Sequence, residues 1–599
     1  MSGAASILLL ASVLAQGGTP VLPPDEHLRA TVSGLERTDA ARKVVPVAGK
    51  AFARALQVTV RRHNAETNAT QLSMPVSTPV RQGDVLLATF WLRGSAAAGK
   101  TPARVEFLFE RTENPWTKSV THPASSARDP KVWRKVLVPF RSAETYKARE
   151  AMVSLRFAFQ PQTVEIGGLS VVNYGRSRSL DSLVDYAIAQ NPVGRTQVSV
   201  NLNATKQTMM GFGGNFCQPR YGATEPMDAV GRYVLGHLDV VHARIGLPLN
   251  NWNPEPGVFK DDAQARASLL ALKQMAERKI PTVASIWEGP IWMLGGQREQ
   301  SGRTLPPDRY DECIDAVARY LVLARDKYGA NVQYFSFNEP DYGVNFKFTP
   351  KQMADFVRQA GPEFARRGLK TKFLVGDTAN GSNFYDYAEP LLEDKSIAPY
   401  LGPLAFHSWD ALGASDLAYT RIAELGRKHG KPVWCLEAGH DAALWQSPNP
   451  WESWDNALRT ALAYERTLRL TGASLMDYWT YQDNYPLVNK AGNRPFPVFH
   501  VMRQMERVFP RGSKIAVARS AHDELQAIAS KRVGGRFAVL LINPVGAGRA
   551  TLTGLPPGAK VTVATSDRTA QNRNSAAVVN RAGRLDVVVP TRSVVSVVR

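Results

Sequence analysis

The stretch DECIDAVARYLVLARDKYGANVQYFSFNEP, residues 311–340, holds the reading that decides the fold. Ile314, Val317, Leu321 and Ala324 recur at helical spacing, which predicts an amphipathic helix over Asp311–Tyr328. A short apolar run, Gln333–Asn338, follows and breaks into the polar Asn338-Glu339-Pro340. A helix feeding a short buried strand is the repeating unit of a parallel sheet. Working outward, the same alternation runs from about Gln207 to Phe509. Further strand candidates are Met209–Gly213, Val240–Gly246, Pro281–Trp287, Lys372–Asp377, Pro403–His407, Pro432–Glu437 and Ser474–Thr480. Among the helices between them, Asp261–Lys279 puts Leu269, Leu272 and Ala276 on one face. Eight strand–helix pairs predict an α/β fold of the (β/α)8 barrel type, which typically takes ~250 residues before insertions. A doubly wound open sheet is the rival. It fares worse because Gly211-Phe212-Gly213-Gly214-Asn215 lacks the G-x-G-x-x-G spacing of a dinucleotide site.

The chain has 599 residues, too many for one core, and the expectation is three units. Residues 22–175 alternate in short strands such as Leu56–Val60 and Ala151–Phe157, predicting a β-sandwich. Residues 176–195 read as a linker with one helical pattern near Leu183 to Ala189. The barrel is assigned to 207–509 and a second β-sandwich to 510–599, with strand 196–202 joining the latter. At the start, the apolar run Ile7 to Ala15 ending Val13-Leu14-Ala15 reads as a signal peptide over residues 1–15, implying a secreted or periplasmic protein. It lacks a basic leading segment, and a disordered apolar tail is the other reading. No later run approaches the ~18 apolar residues of a membrane span, so no membrane partner is expected after signal removal. Three widely spaced cysteines, Cys217, Cys313 and Cys435, form no C-x-x-C pair.

The formal charge of +20 invites a nucleic-acid partner until it is located. Residues 1–200 hold 25 basic against 15 acidic side chains, residues 201–500 hold 32 against 33, and residues 501–599 hold 16 against 5. The middle is neutral, so no nucleic-acid partner is expected. The basic flanks fit solubility or attraction to an acidic matrix.

In a parallel barrel the chemistry sits at the carboxyl ends of the strands. The fourth strand ends Phe337-Asn338-Glu339-Pro340 and the seventh ends Cys435-Leu436-Glu437-Ala438. Strands four and seven face each other across the axis, so the two carboxylates converge. Glycoside hydrolysis needs such a pair: one protonates the leaving oxygen, and the other attacks the anomeric carbon when they stand ~5–5.5 Å apart. Taken singly, Glu339 reads equally as a helix start before Pro340, and Glu437 as a helix cap. Trp287, Trp292, Trp409, Trp479 and Tyr481 cluster at strand ends, where aromatic faces stack on sugar rings, although some belong to the core. Glu288, on strand three, is a rival carboxylate.

With these motifs the barrel resembles clan A glycoside hydrolases, and within them family 30. The likeness covers residues ~196–599 and includes Gly211-Phe212-Gly213-Gly214-Asn215-Phe216, Ala243-Arg244-Ile245-Gly246, Ser285–Met293, His407 and the terminal Val587–Val595. The resemblance implies Glu339 as acid/base and Glu437 as nucleophile of a retaining enzyme, with Arg244 beside the nucleophile. On that reading Arg244 keeps Glu437 ionised and Asn338 binds the sugar 2-hydroxyl, while His407 and Asn215 complete the substrate-binding set. Two departures stand out: Glu288 replaces a small hydroxyl residue, and Trp409 follows His407 where the family has tyrosine. The amino-terminal sandwich resembles jelly-roll carbohydrate-binding modules through Gly83–Arg93 and Trp133–Val136, with Trp116 and Tyr146 as platforms or core.

No cofactor and no metal are expected, since the ten histidines include no H-x-H or H-x-x-x-H pair at a strand end or on a helix. No G-x-S-x-G marks a serine hydrolase. The partner is a carbohydrate substrate; monomer or another oligomeric state is left open. The competing class is a non-catalytic polysaccharide-binding or wall-associated protein on a degenerate barrel.

Overall fold

A computed structural model describes residues 17–64, 66–96, 102–217, 222–297, 302–343, 346–446, 449–482 and 485–599. The signal segment expected at residues 1–15 lies outside them. Eight parallel strands close into a barrel: β1 (Gly211–Phe216), β2 (Val240–Gly246), β3 (Thr282–Ile286), β4 (Tyr334–Phe337), β5 (Lys372–Thr378), β6 (Leu401–His407), β7 (Val433–Ala438) and β8 (Ala473–Tyr478). Each pairs with its neighbour in sequence, and β1 closes on β8 through Gly211–Gly214 against Leu475–Tyr478. Every strand expected from the sequence is present within a few residues. The largest offset is β1, because Met209 and Met210 are bonded outside it, to the Ser513 and Ser474 carbonyls.

The glycines of β1 serve this closure. A Cβ on Gly213 would lie 2.3 Å from an Asp477 carboxylate oxygen and 2.4 Å from the His242 carbonyl. One on Gly214 would lie 2.2 Å from the Tyr481 ring. Only a bare backbone lets β1 sit between β2 and β8 here. Below the mouth, Val283, Leu374, Ala405, Trp434, Leu436 and Leu475 fill the barrel, so it is a packed core with chemistry confined to one end. Outside, the helix predicted from the opening stretch spans Tyr310–Tyr328 and ends on Gly329, whose φ of 68° lets its N–H return to the Ala324 and Arg325 carbonyls. Among the described residues no helix is long and apolar enough to cross a membrane.

The amino-terminal unit is a sandwich of two antiparallel sheets. One orders its main strands Ala41–Pro46, Arg54–Val60, Gln162–Asn173, Val85–Ala96 and Arg134–Arg141; the other orders Val32–Ser33, Gln71–Pro75, Ala151–Arg156, Ala103–Arg111 and Lys118–Ala127. Leu56, Phe90 and Ile166 of the first meet Phe107, Phe109 and Leu155 of the second. Tyr146, a candidate platform, is fully buried against Phe109 and therefore belongs to this core, whereas Trp116 is 46% exposed.

Three expectations about the flanks need revision. Residues 176–195, read as a linker with one helical pattern, carry that helix at Leu180–Ala189, and the segment is docked, because its Leu183 packs on Val85, Leu87 and Val172. The strand placed at 196–202 runs from Pro192 to Thr208 and pairs with both Lys514–Ser520 and Gly546–Thr553. The carboxyl-terminal strands are hydrogen-bonded as one continuous nine-stranded sheet, with Val198, Leu552 and Val587 sharing a core with Val561 and Val597.

The outer face of the second amino-terminal sheet docks on the barrel. Arg104 is buried and donates to Asp416 at 2.7 Å, and Arg466 of the barrel reaches the same oxygen at 2.7 Å. Arg104→Met would leave the Asp416 charge with one partner in a dry interface. We expect a loss of about 2–4 kcal/mol, read as a lower denaturation midpoint with the barrel's activity retained below it.

Candidate active site

Strand ends converge at the mouth on Arg244 of β2, whose guanidinium is fully buried. Its Nε donates to Ser285 Oγ (2.9 Å). Nη1 donates to Glu437 Oε1 (2.7 Å) and Asn215 Oδ1 (3.2 Å), and Nη2 to Asn338 Oδ1 (2.8 Å) and Asp377 Oδ2 (2.7 Å). Ser336 Oγ also donates to Asp377 (2.7 Å), so the 2.6 Å contact between the two serines is a Ser285 donation to Ser336. One planar cation thus ties together residues from β1, β2, β3, β4, β5 and β7. Lysine, with three donors on a flexible stem, cannot reproduce this fork. Arg244→Lys is expected to lose about 3–5 kcal/mol of stability, because Asp377 and Glu437 would keep buried charge without full compensation. Chemical unfolding measures this; an unchanged midpoint would show that the network carries no stabilising load.

His407, at the end of β6, sits between the carboxylates. Its Nδ1 is 3.2 Å from Glu339 Oε1 and 3.4 Å from Glu437 Oε2, and its Nε2 is 3.1 Å from Asp377 Oδ1. Burial alone would strip its proton, but Glu437, Asp377 and Glu339 outweigh that and push its pKa up to about 10. The imidazolium therefore donates from both nitrogens. Asp377 is held at about 2: burial raises it, and Arg244 and His407 more than reverse the effect. Glu437 is raised above its ordinary value by burial and by the nearby Glu339 carboxylate, against the pull of His407 and Arg244. Arg244, expected to hold Glu437 ionised, bonds it at 2.7 Å and shares its charge with Asp377. Two cations, Arg244 and His407, face three carboxyl groups.

Glu339, Glu437 and His407 each present an atom within 4.8 Å of the other two. Glu339 is held at φ 49°, with its N–H on the Asp377 carbonyl at 3.0 Å, an unfavourable backbone for glutamate that aims its side chain across the mouth. Glu437 Oε2 also accepts from the Trp409 indole N–H at 3.2 Å. The three grouped ligand atoms resemble a metal site in spacing, but the arginine at 2.7 Å from Glu437 and the protonated His407 supply the positive charge there.

The structure brings together Glu339, Glu437, Asn338, Arg244, His407, Trp287, Trp409 and Trp479. Trp287 lies under the Arg244 guanidinium at 4.3 Å and meets Trp479 at 5.9 Å. Tyr485, absent from the sequence reading, joins this cluster and meets Trp409 at 5.8 Å. Asn215, assigned to substrate, is fully buried and spends its amide on the Leu436 and Tyr478 carbonyls and on Arg244, so it positions the cation. Tyr481, assigned to a sugar platform, is wholly buried under Gly214 and beside Phe216. Trp292 packs on the main barrel core cluster and donates to the Asn253 carbonyl at 3.1 Å. Glu288 accepts from Asn250 at 3.1 Å, outside the Arg244 network. Asp377, Ser285 and Ser336 are the polar residues that sequence reasoning missed. Their signal was present: each breaks an apolar run near a strand end.

Residues 253–473 match the family model described as glycosyl hydrolase family 30 TIM-barrel domain. A protein named putative glucosylceramidase 1 from Caenorhabditis elegans is 22% identical over 315 residues, covering 46% of this chain and 59% of the relative. The chain thus spans about three-fifths of the length of that curated relative. Among solved structures, an endoxylanase of the same family from Clostridium papyrosolvens superposes with a TM-score of 0.55 at 19% identity, covering 67% of this chain and 99% of that one. A family 30 subfamily 8 xylanase from Clostridium acetobutylicum gives 0.55 at 18%, again over 67% and 99%.

Proposed function

We propose that this chain, whose barrel matches the glycosyl hydrolase family 30 domain, is a retaining hydrolase of β-linked glycans acting through a covalent glycosyl-enzyme. The observation that carries the reading is the pair Glu339 and Glu437, whose oxygens approach within 4.8 Å from strands on opposite sides of the barrel. That spacing suits direct attack by a carboxylate; an inverting pair stands ~6.5–9.5 Å apart to admit water.

Glu437 is the nucleophile. Arg244 on Oε1 and Trp409 on Oε2 fix its plane, and attack on the anomeric carbon forms the C–O bond to the enzyme while the glycosidic C–O bond breaks. Glu339, the more exposed carboxyl, gives a proton to the departing oxygen. Once glycosylated, Glu437 is neutral, and Glu339 takes a proton from the water that hydrolyses the ester. Asn338 presents its carbonyl to Arg244, which turns its NH2 outward to donate to the sugar 2-hydroxyl.

His407 sets the charge state of the dyad, and its contribution is pH-dependent. Its folded pKa of about 10 lies above the ordinary 6.5, so its stabilisation is complete below pH 6.5 and disappears as pH rises through 10. His407→Asn is expected to unfold at lower temperature than wild type at pH 6, with the difference shrinking by pH 10; a difference independent of pH would contradict a buried imidazolium.

The function is tested with aryl β-glycosides and β-linked polysaccharides, xylans and glucans among them because the similar proteins carry xylanase and glucosylceramidase names. Release of reducing sugar, lost in the Glu339→Ala/Glu437→Ala double variant, supports the reading. Tight glycan binding without hydrolysis would favour a binding protein instead.

A further inference from the structure

The first amino-terminal sheet has an outer face that no part of the barrel chemistry uses. Its strands alternate, so opposed residues share a face. Lys43, Gln57, Glu165 and Arg93 stand opposite one another in one row, and Ala55, Gly167, Trp91 and Lys135 in the next. Gly167 lacks a side chain, and Phe52 lies flat in its place, where a Cβ would meet the ring at 2.1 Å. Phe52 is flanked by Trp91 at 6.4 Å and Trp133 at 5.1 Å, both only half-buried. Lys50 Nζ lies 4.7 Å from the Trp91 ring and the Arg93 guanidinium 4.5 Å from the Trp133 ring.

The helix Leu180–Ala189 covers the other end of this face, through Val85, Leu87 and Val172. The sandwich meets the barrel through the opposite sheet, where Arg104 lies on the outer side of its strand. The aromatic end therefore points away from the barrel, with the two indoles part-exposed around the buried Phe52 ring. Of the charged side chains in the two rows and beside them, Lys43, Lys50, Arg93 and Lys135 are basic, and Glu165 alone is acidic, bonded to Arg93 and Gln57.

We infer that this face is a second glycan-binding site, selective for an anionic polysaccharide whose pyranose rings pack beside Trp91 and Trp133 while their carboxylates or sulfates meet Lys50, Arg93 and Lys135. Apolar sugar faces match the indoles, and the excess of cations selects the acidic polymer over a neutral one. The site is independent of the barrel's chemistry. It also accounts for basic charge concentrated in the amino-terminal third while the barrel is neutral.

The test is affinity electrophoresis of the full chain in gels containing polygalacturonate, dextran sulfate, a neutral β-glucan or duplex DNA. Retardation by either acidic polysaccharide is expected, weakening as salt is raised. Trp91→Ala and Trp133→Ala are expected to weaken it roughly tenfold. Lys50→Gln/Lys135→Gln, at surface positions that leave the fold intact, should do the same. Polygalacturonate and dextran sulfate separate carboxylate from sulfate recognition. Hydrolysis of soluble aryl β-glycosides should be unchanged in all these variants, so failure of this site and failure of the barrel reading are distinguishable. No retardation, retardation unaffected by the lysine pair, equal retention on the neutral glucan, or equal variant-sensitive retention on DNA would overturn it.

Discussion

Glu437→Ala is expected to lower kcat on aryl β-glycosides by about 10⁴-fold or more, a barrier increase of roughly 5 kcal/mol, because the covalent route disappears with the attacking atom. The loss should be repaired by azide. The truncated side chain opens the space between Arg244 and the Trp409 indole, and an anion fits there because both groups already donate into it. Azide then attacks from the face Glu437 used while Glu339 still protonates the leaving group, so the product is the α-glycosyl azide. Chromatography with NMR identifies it. Full activity in this variant would mean that another group is the nucleophile. The variant should also be more stable at neutral pH than Arg244→Lys, since it deletes an anion from a site holding three carboxyls for two cations.

Glu339→Ala is expected to show a loss of about 10²–10⁴-fold that depends on the leaving group. With an alkyl or sugar aglycone the departing oxygen needs a proton, and both steps slow. With a dinitrophenyl aglycone the first step needs none, so only hydrolysis of the glycosyl-enzyme slows, the ester accumulates, and KM falls together with kcat. Azide now replaces water against the ester and yields the β-glycosyl azide. The opposite anomers from the two variants separate the two carboxylates. A leaving-group-independent loss would assign Glu339 to binding and reopen the role of Glu288.

Much of this site was legible because of where residues stand along the chain. In a parallel barrel the last residue of each apolar run faces the mouth, so Glu339 and Glu437 could be paired by counting strands. Arg244 and His407 came instead from the resemblance to family 30. The rule identifies ends but not what each end residue faces. Asn215 and Tyr481 satisfy it and are nonetheless enclosed, because Gly213 and Gly214 draw β8 so close to β1 that both side chains are walled in. Asp377 was missed for the converse reason: an aspartate ending a strand reads as a helix cap, and only the converging Arg244, Ser336 and His407 reveal it as the anion that orders the others. The flanking sheets were recognised from alternation, but alternation carries no pairing. The continuity of nine strands and the length of Pro192–Thr208 rest on partners more than 300 residues away in sequence. The helix at Leu180–Ala189 showed as a helical pattern, but with only Leu183 of it buried its docking on Val85, Leu87 and Val172 left no mark.

The most direct test of the account is the configuration of the first product. Proton NMR of the anomeric region during cleavage of a β-linked oligosaccharide by wild type should show the β-anomer appearing first and the α-anomer only by later mutarotation, as two displacements at one carbon require. Initial appearance of the α-anomer would mean a single displacement by water, which would contradict Glu437 as a nucleophile within 4.8 Å of Glu339.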